Sequence, residues 1–199
     1  MLTQKNYWEH TNTGMSLLTP NLFTLSNAGN LTASEGGYTK KLNSLYGFAT
    51  LGFRNYLFLD LTGRNDWSST LPPESWSYFY PSAGLTLVVS DMLKSRPGWF
   101  TFAKLRASIA KVGNDTDPYR LYPTFDIMPG GANGYASRSG TIPSPDLKPE
   151  LTTSTELGAD IRFLSNRIGL DFTWYKSNSK NQLLQISVPV ASGYDNKFI

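Results

Sequence analysis

Apolar and polar side chains alternate along several segments of this chain, and the alternation constrains its fold more than any other feature. In residues 56–64, Leu57, Leu59 and Leu61 occupy odd positions, and Asp60 lies between two of them. A period of two places successive side chains on opposite faces of a β-strand, whereas a helix scatters them around its circumference. Because the same rule recurs further along the chain, the pattern predicts an all-β fold built from two-faced strands. The recurrences are residues 102–112, 156–163 and 168–175.

Three further segments carry weaker forms of the alternation. Residues 78–90 follow it except at Val88, and residues 44–53 are ambiguous because aromatic side chains share a face with small and polar ones. Residues 183–190 resemble the start of another strand. We therefore expect about seven antiparallel strands, each close to the 9 to 11 residues that a tilted membrane crossing requires.

The connections between these segments alternate in length. Residues 54–55 and 164–167 are short, residues 91–98 are intermediate, and residues 65–77 and 113–152 are long. In an up-and-down meander, alternate connections emerge at opposite ends of the sheet, and outer-membrane barrels place short turns at the periplasmic end and longer loops outside. The lengths fit that arrangement.

The composition removes several classes of function. Eighteen basic and fifteen acidic residues give a net charge of +3, and the basic residues are spread singly, so the clustered charge of a nucleic-acid binder is missing. Without Cys, the chain has no disulfides, thiolate metal sites or Cys nucleophiles. His10 is the one His, so the usual general base is nearly unavailable. We expect no enzymatic activity, no cofactor, no metal and no nucleic-acid partner.

Two architectures remain compatible with two-faced strands. No secretory signal is recognisable, and no apolar segment approaches the roughly 20 residues of a membrane-spanning helix, so a membrane role requires strands. One architecture is a transmembrane barrel, and the alternative is a soluble secreted β-sandwich that binds carbohydrate through its loops. Aromatic residues near both strand ends, such as Trp67 and Trp99, are typical of the interfacial girdles of a membrane barrel and favour it.

Ordered sequence blocks sharpen this interpretation. The blocks are RNDWSSTLP at 64–72, SYFYPS at 77–82, KLRAS at 104–108 with VGNDT at 112–116, and PDLKPE at 145–150 followed by ELG at 156–158. No single block is specific, because each is a short polar motif, but their order and spacing are. Taken together, they resemble the SusC/RagA family of TonB-dependent outer-membrane transporters, over residues 42–199, and residues 19–23 are similar to a loop segment of that family.

The resemblance implies a fragment of an antiparallel up-and-down transmembrane β-barrel of about 22 strands, closed by a plug. It further implies location in the outer membrane of a Gram-negative bacterium, contact with outer-membrane lipids, and import of oligosaccharides or peptides. A SusD-like surface lipoprotein would act as the lid, and the TonB complex would act through a plug domain. Because no signal peptide, plug or terminal aromatic strand is recognisable, we expect residues 42–199 to form part of the barrel and residues 1–41 to form an extracellular loop or irregular segment.

Three sets of residues are candidates for function. Trp67, Trp76 and Tyr78, in or beside a long loop, could stack on sugar rings or contact the lid, or could instead anchor the interface and pack the loop. Residues 114–117 could offer oxygen donors to Ca²⁺ or cap the turn before Pro118. The polar face of the strands is predicted to face the lumen or plug, although cross-strand charge pairing explains the same residues. These residues are Asp60, Arg64, Lys104, Arg106, Glu156, Asp160, Arg162 and Asp171.

Overall fold

The computed structural model describes residues 1–93 and 95–199. Lys94 lies outside the described residues, in the predicted 91–98 connection. Besides the strands, there are a short helix α1 (Val89–Met92) and 3-10 turns at Leu25–Asn27 and Val190–Ser192. The strands are β1 (Leu2–Leu17), β2 (Ala28–Phe53), β3 (Leu57–Ser68), β4 (Ser77–Val88), β5 (Phe100–Asn114), β6 (Phe125–Met128), β7 (Tyr135–Arg138), β8 (Thr141–Ile142), β9 (Glu150–Phe163), β10 (Ile168–Lys180), β11 (Gln185–Ser187) and β12 (Asn196–Phe198).

Seven strands form one antiparallel sheet in the order β1-β2-β3-β4-β5-β9-β10. The predicted all-β, up-and-down wall of about seven strands is therefore confirmed. The predicted strand at residues 183–190 is wrong, because only Gln185–Ser187 is extended and it pairs with β12 in a separate small sheet. Pro189 has no N–H to offer a ladder, and Gly193 turns the chain back at φ 74°, which ends this segment early.

The seventh strand of the sheet comes instead from the start of the chain. Residues 1–41 are not an irregular segment: β1 pairs with the first half of β2 over Leu2↔Asn43 to Leu17↔Ala28, so that part of the prediction is wrong. Both faces of this hairpin are mostly polar and exposed, so it carries no apolar-polar alternation that sequence analysis could detect. Its backbone ladder, rather than an amphipathic face, defines it.

The register joins the remaining strands into two continuous faces. Side chains directly opposite each other on neighbouring strands share a face, so one row of the ladder fixes the rest. The odd-numbered residues of β3, β4, β5, β9 and the second half of β2, with the even-numbered residues of β10, form the face that we call the apolar face. One of its rows runs Leu51, Leu59, Leu85, Ala107, Leu157 and Trp174. The opposite, charged face has a row running Thr50, Asp60, Gly84, Ser108, Glu156 and Tyr175.

The two ends of the sheet differ as the connection lengths predict. At the short-turn end, β2 passes to β3 through residues 54–56, where Arg54 and Asn55 adopt left-handed φ values of 50° and 58°. Trp99 and Phe163 stack at this end with ring centroids 5.9 Å apart. The other end, which we call the loop end, carries residues 69–76, 115–149 and 181–199, together with the small sheets β6-β7 and β11-β12-β8.

Four apolar side chains are buried among the described residues, and all of them except Ala103 lie at the loop end. Leu71, Tyr78 and Leu147 form the hydrophobic cluster, with Tyr80 and Leu183 packed against it. Across residues 1–93 and 95–199, no second sheet covers the apolar face, and Leu105 and Phe172 remain 45% and 67% exposed. The β-sandwich alternative is therefore wrong, because a sandwich buries this face against another sheet. None of the helices among the described residues has the length and apolar character needed to cross a membrane.

Candidate functional site: the charged face and the loop-end cluster

All eight charged candidates lie on the same face of the sheet, as their positions in the register require. Lys104 stands opposite Asp160, and Thr50 Oγ1 donates a hydrogen bond of 2.7 Å to Asp60. Cross-strand pairs of opposite charge stabilise a sheet, so this grouping supports the charged face independently of any ligand. The eight are Asp60, Arg64, Lys104, Arg106, Glu156, Asp160, Arg162 and Asp171.

Arg106 is the centre of the largest charge cluster on this face. Its Nη2 lies 3.1 Å from Asp171 and its Nε lies 3.5 Å from Glu156, so one guanidinium bridges β9 and β10 from β5. Gly158 makes room for it: a Cβ at position 158 would overlap the guanidinium Nε and the Arg106 stem. The glycine in the ELG block therefore has a steric role, since only a residue without a side chain lets Arg106 cross the sheet.

A second ion pair lies nearer the short-turn end. Arg162 donates two hydrogen bonds to Asp160, Nη2–Oδ2 at 2.9 Å and Nε–Oδ1 at 3.1 Å, which makes the pair bidentate. The same guanidinium lies 5.2 Å from the centroid of the Phe102 ring. Asp160 is buried, its ion-pair partner is Arg162, and Lys104 occupies the register position directly opposite it on β5.

At the loop end, the charged face continues into a hydrogen-bonded cluster around Arg64 and Asp66. Arg64 Nε donates to Asp66 Oδ1 at 2.8 Å and its Nη2 donates to Ser44 Oγ at 3.0 Å. Tyr80 donates its hydroxyl to the other Asp66 oxygen at 2.5 Å. Asp66 is 3% exposed, so these donors satisfy a carboxylate that water cannot reach, and they fix β2, β3 and β4 to one another.

Asp115 fastens the start of the longest loop to the sheet. Lys40 Nζ donates to Asp115 Oδ1 at 2.5 Å and to the Thr116 carbonyl at 3.1 Å, and Ser68 and Thr70 donate to Asp115 Oδ2. The Asp115 side chain is 7% exposed. Both of its oxygens already accept hydrogen bonds from the protein, which explains the residue without the Ca²⁺ that its neighbours suggested.

The hydrophobic cluster lies directly beside these polar contacts. Tyr78 packs with Leu71 and Leu147, and a Cβ at Gly113 would fall within 2.6 Å of the Tyr78 ring. Ser75 Oγ donates to the Leu147 carbonyl at 2.5 Å. Residues from all four sequence blocks therefore meet at the loop end, whereas Gly158 and Arg106 form a separate contact further along the charged face. A cavity of about 260 Å³ opens next to it, lined by residues that include Asp115, Arg120, Leu147, Lys148 and Glu150.

Part of this cluster was not predicted from the sequence. Lys40 fell within the segment expected to be irregular, and neither Ser44 nor Ser68 carries any chemical signature by itself. Ser68 lies in the RNDWSSTLP block, so the presence of that block could have pointed to it, whereas Lys40 and Ser44 lie outside every block. Their contacts span the chain: 75 residues separate Lys40 from Asp115.

The three aromatic candidates do not form one surface. Trp67 pairs with Ser77 and lies on the apolar face, Trp76 is 52% exposed in residues 69–76, and Tyr78 is 7% exposed inside the hydrophobic cluster. The position of Trp67 on the apolar face is compatible with interfacial anchoring, which stays a prediction, and Trp76 is the one of the three that is largely exposed at the loop end. Their contact with a substrate or lid stays a prediction.

A single antiparallel sheet with one uncovered apolar face, one charged face, and unequal connections at its two ends defines the wall of an outer-membrane β-barrel. Residues 2–197 match the family model described as TonB dependent receptor-like, beta-barrel, so the chain belongs to that family. The resemblance to SusC/RagA transporters is thereby confirmed. TonB-dependent receptors are transporters rather than enzymes.

Relatives and solved structures agree with this assignment. The chain is 27% identical over 172 residues to TonB-dependent receptor P26 and 24% identical over 178 residues to TonB-dependent receptor P3, both from Formosa agariphila. These matches cover 84% and 85% of this chain but only 17% and 18% of the relatives, so the chain spans less than a fifth of their length.

The fold is also similar to that of the RagAB peptide transporter, with a TM-score of 0.80, 17% identity, and coverage of 99% of this chain and 23% of that one. The siderophore receptor PirA from Pseudomonas aeruginosa aligns over 99% of this chain and 32% of its own, with a TM-score of 0.54 and 14% identity.

Proposed function

We propose that this chain forms part of the wall and extracellular rim of a TonB-dependent importer in the outer membrane of a Gram-negative bacterium. The observation that carries the proposal is the apolar face, which extends over six strands and has no protein layer over it among the described residues. Hydrocarbon chains are the surroundings that stabilise such a face, because every backbone group of the paired ladder is already satisfied.

The charged face then lines the barrel interior. Its ion pairs lie side by side along β5, β9 and β10, and a plug domain or a passing substrate would meet Arg106, Asp160 and their partners. Mixed charges suit a polar interior in which neither sign dominates. We assign the short-turn end to the periplasm and the loop end to the extracellular side, following the connection lengths of outer-membrane barrels.

We further propose that the complete importer takes up oligosaccharides or peptides together with a SusD-like surface lipoprotein, driven by the TonB complex through a plug. The structural similarity to RagAB, a peptide transporter, supports this class of cargo. The loop end supplies the surface that a lipoprotein would cover, and Trp76 is one of its exposed aromatic side chains.

Orientation can be tested because this segment contains no Cys. In the full-length receptor, Glu74→Cys would place a thiol in residues 69–76, and Asn166→Cys would place one in the turn after β9. A membrane-impermeant maleimide added to intact cells should label position 74 and leave position 166 unlabelled until the cells are opened. Equal labelling of both in intact cells would reject the assigned topology.

Import itself needs a separate measurement. Disruption of the gene should abolish uptake of a labelled oligosaccharide or peptide that the parent strain accumulates, and disruption of TonB should have the same effect. Unchanged uptake of both substrate classes in the disrupted strain would contradict the proposed import function.

A further inference from the structure

Ionised side chains are divided unequally between the two faces of the sheet. On β3, β4, β5, β9 and β10, every Asp and Glu lies on the charged face, and the apolar face carries none. The same strands nevertheless place three lysines on the apolar face, all near the loop end. They are Lys111 on β5 and Lys176 and Lys180 on β10.

The register brings these three lysines around one point. Lys111 and Asn178 stand on either side of Thr153, in neighbouring strands, and Lys176 and Lys180 lie two residues to either side of Asn178. Strand spacing and rise place the Cα atoms of Lys111 and each of the other two about 12 Å apart. All three side chains are exposed, and among the described residues none forms an ion pair. Their flexible stems allow the ammonium groups to reach one anion together.

A groove of small residues runs along the apolar face from Lys111. Its upper part has a volume of about 260 Å³ and is lined by Leu61, Pro81, Ala83 and Ile109 as well as Lys111. It continues into a second apolar space of about 320 Å³ towards the short-turn end. Ala83 and Ala107 form low positions between larger side chains, because Ala83 pairs with Leu61 and Ile109, and Ala107 pairs with Leu85 and Leu157.

We propose that this surface is a binding site for a phosphate-bearing lipid of the extracellular leaflet, with the phosphate held by Lys111, Lys176 and Lys180 and an acyl chain in the groove over Ala83 and Ala107. A cationic patch without carboxylates matches an anionic head group, and an apolar groove leading from it matches a hydrocarbon tail. Thr153 and Asn178 add polar side chains between the lysines. The inference rests on the proposed location of the apolar face in the membrane.

The test uses the full-length receptor in detergent, titrated with phosphorylated lipid A and followed by native mass spectrometry. We expect a saturable bound lipid in the wild type and binding about 100-fold weaker in the triple variant K111A/K176A/K180A, since each lysine near an anionic lipid surface contributes roughly fivefold. The matched control is Lys41→Ala, because Lys41 is also an exposed lysine on the apolar side near the loop end but lies on β2, away from the groove.

Further arms separate the sources of binding. Ala83→Leu should fill the groove and weaken lipid binding at least tenfold. Dephosphorylated lipid A should bind the wild type about as weakly as phosphorylated lipid A binds the triple variant. Inorganic phosphate should not displace the bound lipid. Equal lipid affinity in the wild type and the triple variant overturns the proposal, as does displacement by inorganic phosphate alone or a receptor dimer that covers Lys111.

Heat-modifiable mobility of each variant in outer-membrane fractions reports assembly separately. If the wild-type receptor itself is not found assembled in the outer membrane, the proposed importer function is contradicted. If the triple variant assembles normally and its lipid binding is unchanged, only the lipid site is contradicted.

Discussion

The two faces of the sheet hold their side chains in different ways. On the charged face, groups such as Arg106, Asp160 and Arg162 contact partners on the same or neighbouring strands, and the ion pairs are formed within the chain. On the apolar face, Leu105 and Phe172 stay largely exposed and have no second layer to pack against. The chain therefore provides its own polar contacts and depends on its surroundings for apolar ones, which is the reverse of a soluble protein with an internal core.

The largest effect should come from placing a charge on the apolar face. Leu105→Arg in the full-length receptor should destabilise the membrane-inserted form by about 2–4 kcal/mol if position 105 lies near the bilayer midplane. Ser108→Arg is the matched control, because Ser108 is exposed on the charged face opposite Glu156 and should cost less than about 1 kcal/mol. Denaturant titration of receptor in lipid vesicles measures both, and similar losses would show that the faces are assigned incorrectly.

A smaller effect should follow from disturbing the charged face without changing its charge. Gly158→Ala places a methyl group where the Arg106 guanidinium lies, so the ion pairs to Glu156 and Asp171 must shift, at a cost of about 1–3 kcal/mol. Gly47→Ala serves as the control, because a Cβ at Gly47 meets no atom within 4 Å, and it should change stability by less than about 0.5 kcal/mol. The same denaturant titration applies, and a neutral Gly158→Ala would remove the steric role assigned to that glycine.

The smallest of the three effects should be local. Asp115→Ala removes the hydrogen-bond acceptor of Lys40, Ser68 and Thr70. It should lower the local stability at the start of residues 115–149 by about 1 kcal/mol. This is the low end of the cost of a buried group without a partner, because Lys40 is 23% exposed and can be hydrated again. Faster cleavage of this loop by protease on intact cells is the expected result. Asp117→Ala is the control, since its pair with Arg120 is largely exposed, and cleavage equal to that of Asp115→Ala would contradict the anchoring role.

The sequence predicted those parts of the fold in which one face of a strand is apolar and the other is polar. Leu57, Leu59 and Leu61 lie on the apolar face while Asp60 and Thr62 lie on the charged face, and that contrast is visible in a single sequence. The ambiguous residues 44–53 are explained by the register, which places Tyr46 and Phe48 on the charged face beside Arg64 and Thr62.

The parts that sequence did not predict lack that contrast. β1 and the first half of β2 are polar on both faces, so no period-two signal exists there. The contact between Lys40 and Asp115 depends on which strands are neighbours and in what register, and residue types alone do not encode it. Trp67 and Tyr78 show the same limit. They are close in sequence and were predicted to share one surface, but Trp67 lies on the apolar face and Tyr78 is buried in the hydrophobic cluster.

The length of β2 has a mechanical consequence. Its 26 residues pair with β3 only from Leu42 onward, and the preceding 14 residues, with β1, continue past the end of β3 for about 45 Å. A two-stranded ribbon of that length amplifies motion at its base. Given the rise per residue of a strand, a tilt of about 10° at the base moves the far end of the ribbon sideways by roughly 8 Å. A small rearrangement beside Lys40, where the ribbon meets Asp115, would thus be converted into a large displacement at residues 18–27.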